Sequence, residues 1–195
     1  MEFRSSERAE GEGQIPGLIR LLVRHRYSAF GVMQDIDAGS AQDVVESVAG
    51  AARVEAGADA VAVFTEPGND RVVAGPTTIE VVPVGMPDDP DLGILGITWH
   101  SVEDYLIKLL IVDESLRPGI NAFPDLLLQL VETIRTSGVS FDRSKELFQL
   151  VKPIVKHGFS DTGVVNALFD RAQPDLLRTV MNPIVERLRR VSASP

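Results

Sequence analysis

Residues 29–48 read AFGVMQDIDAGSAQDVVESV, and this stretch decides how the rest of the chain is read. Its first six residues, Ala29 to Gln34, form a short apolar run suited to a buried strand. The run ends in Asp35 and Asp37, and Gly39 supplies a turn. Ser40 and Asp43 then stand at capping-box spacing, with Asp in the usual Glu position, and predict a helix reaching about Ala56. A strand that leads through an acidic turn into a helix is the opening half of a βαβ unit.

Working outward, Ile15, Leu18, Ile19, Leu21 and Leu22 recur at helical spacing and predict a helix from Gln14 to His25, with Pro16 tolerated in its first turn. Asp59 to Thr65 (DAVAVFT) predicts a second strand, stopped by Glu66-Pro67-Gly68. Thr78 to Gly85 (TIEVVPVG) predicts a third, running into Met86-Pro87-Asp88-Asp89. Ser101 and Asp104 are placed to cap a helix over 102–112. Strands separated by helical runs predict an α/β fold with a small, mostly parallel sheet and helices on both faces. Beyond residue 113 the texture changes. Helices are predicted near Phe123–Thr136, Arg143–His157, Asp161–Arg171 and Pro174–Val191, split by Pro118-Gly119, Ser137-Gly138, Gly158 and Gln173-Pro174. The expected organisation is an α/β core over 1–113 and a helical C-terminal portion over 114–195 packed on it.

Composition removes several classes of function. With 44% apolar and 24% charged residues the chain can build a core, and with no cysteine it holds no disulfide scaffold, thiol nucleophile or iron–sulfur cluster. No apolar run is long enough to span a bilayer, and the start MEFRSSERAEGEG lacks the pattern of a signal peptide, so a cytoplasmic protein without membrane contact is expected. His25, His100 and His157 are isolated, which disfavours zinc. Neither a P-loop nor a G-x-G-x-x-G occurs.

The net charge of −9 is unevenly spread. Residues 1–104 carry 7 Lys/Arg against 18 Asp/Glu, and residues 105–195 carry 12 against 10. An acidic front half disfavours a passive phosphate-binding surface and suits carboxylates gathered round a hard cation. Ligands of parallel sheets bind beyond the carboxyl ends of the strands, and Asp35, Asp37, Glu66, Asp70, Asp88 and Asp89 each follow a predicted strand. Asp37, Glu66, Asp70, Asp88 and Asp89 are therefore the candidate metal ligands. Several of the acids also have a plain structural reading: Glu10 as a charge at the N-terminus of the following helix, Asp35 and Asp37 as turn formers before Gly39, Asp88-Asp89-Pro90-Asp91 as an exposed acidic turn, and Asp104 as a helix cap with Glu103 a solvated first-turn charge.

Four segments in order carry a resemblance: Glu10-Gly11-Glu12-Gly13 before the helix IPGLIRLLVRH, then FGVMQDIDAGSAQDVVESV, then ADAVAVFTEPGND, then VVPVGMPDDPDLG followed by Ser101-Val102-Glu103-Asp104-Tyr105-Leu106. Over residues 8–112, and more loosely at Ser144-Lys145, the chain resembles the TOPRIM fold, especially small stand-alone bacterial TOPRIM-like proteins and, more distantly, the OLD-type nucleases. The resemblance implies a Mg²⁺ site for phosphoryl transfer on nucleic acid. It puts Glu10 on the family's acid/base Glu, and Glu103 and Asp104 on its later acidic pair. There are departures. Where the family carries Asp-x-Asp, this chain reads Phe64-Thr65-Glu66-Pro67-Gly68-Asn69-Asp70. Asp-x-Asp spacing occurs instead at Asp35-Ile36-Asp37, one strand earlier, and the expected first strand, Phe3 to Ala9, is polar. Two functions follow: a Mg-dependent nuclease with a rearranged or weakened metal site, or a catalytically inactive TOPRIM-like interaction or regulatory module with a protein partner.

Overall fold

The computed structural model describes residues 14–64, 70–155 and 160–193. Glu10, Glu66, His157 and the stretch Phe3 to Ala9 lie outside the described residues. The order of elements is α1 (Gln14–Arg24), β1 (Ala29–Asp35), α2 (Ala41–Ala56), β2 (Ala60–Val63), β3 (Arg71–Ala74), β4 (Thr77–Val84), α3 (Pro90–Ile94), α4 (Glu103–Val112), α5 (Phe123–Thr136), α6 (Ser144–Val155), α7 (Asp161–Arg171) and α8 (Pro174–Ala193). Short 3-10 turns sit at Gly57–Asp59 and Glu114–Leu116. No helix among the described residues is long and apolar enough to cross a membrane.

The chain divides into two compact units, and the division does not follow the textural break at 113. The described part of the first unit is 14–34, 39–64, 70–83 and 184–193, and that of the second is 35–38, 84–155 and 160–183.

The first unit is built round α2. Ser40 accepts the Asp43 N–H while the Asp43 carboxylate takes the Ser40 N–H at 2.7 Å, so two of the helix's orphan donors are satisfied reciprocally. Val44, Val45, Val48, Ala49, Ala51 and Ala52 form its buried stripe. That stripe packs on β2 and β3 and on α1, which contributes Ile19 and Val23. Burying a Val side chain stabilises by about 1.5–3 kcal/mol, so the three buried valines of this face contribute to the unit's cohesion.

The sheet runs in the order β1-β4-β3-β2. The fold class is α/β, but the expectation of a mostly parallel sheet is corrected. Only β1 and β4 run parallel, whereas β2–β3 and β3–β4 are antiparallel. The cause is local. Ala74 pairs with Thr77 across the two residues Gly75-Pro76, with Gly75 at φ 60°, and a two-residue loop can only join antiparallel strands. Arg71–Ala74 is a further strand, between the two that the sequence predicts at Asp59–Thr65 and Thr78–Gly85.

The second unit is helical, with α4 at its centre. Leu106, Ile107, Leu109 and Leu110 are buried, and α4 packs against α6, which in turn packs against α7. Two further expectations are corrected here. Asp104 does not cap α4: the N-cap is Val102, with no side-chain hydrogen bond, and Asp104 is fully buried. The acidic run 88–91 is not merely an exposed turn, because Asp89 caps α3 by accepting the N–H groups of Asp91 and Leu92, with Pro90 at the first helical position.

Two substitutions test these packing arguments by urea denaturation. Ser40→Ala removes half of the capping box and is expected to cost about 1 kcal/mol. Gly85 has φ 143°, and a Cβ there would stand 2.8 Å from the Cβ of His100. Gly85→Ala is expected to cost about 2–3 kcal/mol, combining backbone strain with overpacking.

Candidate functional site

The second unit gathers polar groups where the segment Asp35–Ala38 meets the start of α4. Ile36 donates its N–H to the Val84 carbonyl at 2.9 Å, so the chain continues the parallel register one residue past β1. Asp37 adopts φ 54°, a left-handed conformation that Asp tolerates better than most residues, and it exchanges both backbone hydrogen bonds with His100 at 2.8 and 2.9 Å. The strand end, its Asp-x-Asp and the residues preceding α4 are thereby fixed together.

Beneath them lies a buried carboxylate. Asp104 Oδ2 accepts the Met86 N–H at 2.7 Å and bonds His100 Nδ1 at 2.8 Å, while Oδ1 is buried without a hydrogen-bond partner. Tyr105 donates its hydroxyl to the Gly85 carbonyl from the next position on α4. A carboxylate of this kind costs several kcal/mol to desolvate and is retained only where its bonds organise the backbone around it.

Above them lies an acidic corner. Asp35 keeps contact with solvent as a residue, yet partial burial of its carboxyl raises its pKa to about 6. The negative charges of Glu103 and Asp37 add to this rise, and the Val102 N–H and the Lys145 charge only partly offset it. Glu103 is held from behind: the Ser101 hydroxyl donates to Glu103 Oε2 at 2.7 Å and lies 2.8 Å from the hydroxyl of Ser144, the first residue of α6. Nearby, the Thr98 and Trp99 N–H groups both bond the Asp142 carbonyl, and the Arg143 guanidinium stacks 4.4 Å from the Trp99 ring centre.

Asp89 is bridged to Lys108 at 2.9 Å, and Lys108 also holds Asp91 at 2.6 Å, so these carboxylates fasten α3 to α4. Asp70 precedes β3 in the first unit, where its carbonyl accepts the Val81 N–H. Asp88 is exposed in the turn before α3. Glu10 and Glu66 lie outside the described residues. Of the candidate ligands among the described residues, Asp37 belongs to the corner.

Asp35, Glu103 and Lys145 join it there. The Asp-x-Asp spacing at 35–37 is the sequence signal for Asp35; the sequence marks Ser101 only as a helix cap and Ser144-Lys145 only loosely through the resemblance, and the tertiary fold brings the two serines together.

Oxygen donors suit Mg²⁺, which keeps several waters and takes one or two protein carboxylates beside substrate phosphates. Asp35, Asp37 and Glu103 fit that donor chemistry, although no three His, Asp or Glu side chains among the described residues stand close enough to enclose a cation by themselves.

Compared with protein-family models, curated proteins and solved structures, the chain matches none.

The raised pKa of Asp35 has a consequence for stability. Because the folded value of about 6 exceeds the ordinary 3.8, the fold favours the protonated acid, so stability is lost as pH rises through that window. Asp35→Asn, measured in EDTA, is expected to match the parent below about pH 4 and to become the more stable protein as pH passes about 6. An equal gap at every pH would show that Asp35 titrates normally.

Proposed function

We propose that this chain is a TOPRIM-like protein acting on phosphodiester bonds of nucleic acid, with a rearranged acidic site at Asp35, Asp37 and Glu103. The observation that supports it most directly is the meeting of an Asp-x-Asp at the end of β1 with Glu103 at the start of α4. The sequence resemblance gives the family's Asp-x-Asp a metal-holding role and puts Glu103 on the later acidic pair, although Asp35-Ile36-Asp37 stands one strand earlier than the family's motif. Mg²⁺ bound by Asp37 and its neighbours would neutralise phosphate charge and acidify a bound water.

The chain's own groups have the complementary tasks. Asp35, titrating near 6, can hold or release a proton close to neutral pH, which is what an acid/base group needs. Lys145 opposes the negative charge of the corner and offers a cation to a substrate phosphate. Glu10 keeps the acid/base role that the resemblance gives it.

A second reading, an inactive interaction or regulatory module, is favoured by a separate observation. Asp104 of the later acidic pair is wholly buried in structural bonds, and Asp89 is tied to Lys108. Acids committed to the fold are unavailable for chemistry.

Nicking of supercoiled plasmid in Mg²⁺, Mn²⁺ or EDTA separates the two. Metal-dependent nicking by the parent, reduced about a hundredfold or more in Glu103→Gln and Glu10→Ala, is expected for the enzyme. Absence of nicking with either metal supports the module. Nicking that persists in both variants removes the acidic corner from the reaction.

A further inference from the structure

Helix α1 carries more apolar surface than its packing uses. Ile19 and Val23, one turn apart, are buried on the side that meets α2. Leu18 and Leu21 stand on the outward side and are 39% and 48% exposed. With His25 they fall at i, i+3 and i+7, a single line along the helix. A Cβ at Gly17, beside them, would meet no atom within 4 Å, so the line is open among the described residues. Tyr27, just past the helix, is 55% exposed. One exposed leucine needs no explanation, but a line of two followed by an exposed tyrosine marks a surface that a partner can cover.

The same stretch is basic in an acidic protein. Residues 14–27 hold Arg20, Arg24 and Arg26 and no Asp or Glu, whereas the whole chain carries a net charge of −9. One carboxylate answers these cations: Glu55 of α2 pairs with Arg24 at 2.6 Å and also feels the Arg20 charge. The exposed side chains of His25 and Arg26 have no hydrogen bond or ion pair among the described residues. Arg26 is also held against backbone preference. It sits at φ 56°, its N–H bonded to the Val23 carbonyl at 2.9 Å and the Tyr27 N–H bonded to that of Leu22 at 3.2 Å. Gly is the residue that such a left-handed helix end favours.

Charge selects what fits this face. A second copy docked through the same surface would set arginine against arginine across a two-fold axis. A phosphate backbone would engage the arginines and leave the leucines uncovered. An anionic bilayer is opposed by the net charge of −9. Two half-exposed leucines also present less apolar surface than the single acyl chain that binds membranes only marginally. An acidic segment with an apolar stripe satisfies both features at once.

We propose that the outer face of α1, with Leu18 and Leu21 at its centre and Arg26 and Tyr27 at its C-terminal end, docks an acidic amphipathic helix of a protein partner. The partner's apolar stripe covers the leucines, and its carboxylates meet the arginines. This surface acts whether or not the acidic corner does chemistry.

The test titrates a synthetic amphipathic peptide of Leu and Glu into the ¹⁵N-labelled full chain, with a Leu/Lys peptide of the same pattern as control, and follows amide chemical shifts. Shifts concentrated in residues 14–27 are expected, with the acidic peptide bound at least about tenfold more tightly than the basic one and more weakly as salt rises. Leu21→Gln, at an exposed position, is expected to weaken binding about tenfold. Arg26→Gly is expected to raise the thermal midpoint, because Gly suits the left-handed position, and yet to weaken the acidic peptide. Equal binding of both peptides, or parent-like binding by both variants, overturns the proposal. So does the absence of shifts in 14–27 at about 1 mM peptide. Co-sedimentation with phosphatidylglycerol vesicles but no peptide binding overturns it in favour of a membrane surface.

Discussion

The Asp104 carboxylate is the constraint on which the candidate site depends. It is fully buried, and its two short bonds join the Met86 backbone, just past β4, to the His100 ring, three residues before α4 begins. His100 in turn pairs its backbone with Asp37. One carboxylate thus fixes the spacing between a strand exit and a helix start. The close approach that this requires explains why position 85 has no side chain, since a Cβ there would meet both His100 and Asp104. Charge buried at this cost serves the backbone geometry rather than net stability.

The helical unit uses guanidinium groups for a related purpose. Its helices are cut by Pro and Gly, and the last carbonyls of a helix need partners from outside its own ladder. Arg117 donates to the Leu110, Ile111 and Ile120 carbonyls and stacks 5.5 Å from the Phe123 ring centre. Arg135 gathers the Leu95, Gly96 and Phe141 carbonyls, and Arg171 takes those of Val155 and Leu116. Asp113 does the converse for N–H groups. Desolvation pushes its pKa up, but bonds from Ser115 and Gln173 outweigh this and hold it below the usual carboxylate value. With these charges committed to the backbone, the acidic corner stands out because the Val102 N–H and the Lys145 charge offset its burial and repulsion only in part.

Much of the local structure was legible in the sequence. The helices Phe123–Thr136 and Asp161–Arg171 fall where periodicity and punctuation place them, and the capping box at Ser40 and Asp43 forms as its spacing indicates. Local signals failed where a residue's partner is distant in sequence. Asp104 sits three residues after Ser101, a capping spacing, yet its partners include Met86, eighteen residues back. Arg71–Ala74 is too short to declare itself a strand and becomes one only by pairing on both sides. The site was legible in halves. Asp35-Ile36-Asp37 and Glu103-Asp104 each carried a motif-like spacing, but nothing local said that they meet.

The sequence by itself determined most of the longer helices, the capping box and the acidic bias of the front half, because each follows from dihedral preference, periodicity or charge within a few residues. Only the tertiary structure decided which acids are structural and which face one another. That choice turns on desolvation and hydrogen-bond supply, which depend on what packs around a carboxylate. The same residue type is therefore a lock at Asp104, a helix cap at Asp89 and, at Asp35, an acid whose pKa partial burial and then neighbouring charges raise to about 6.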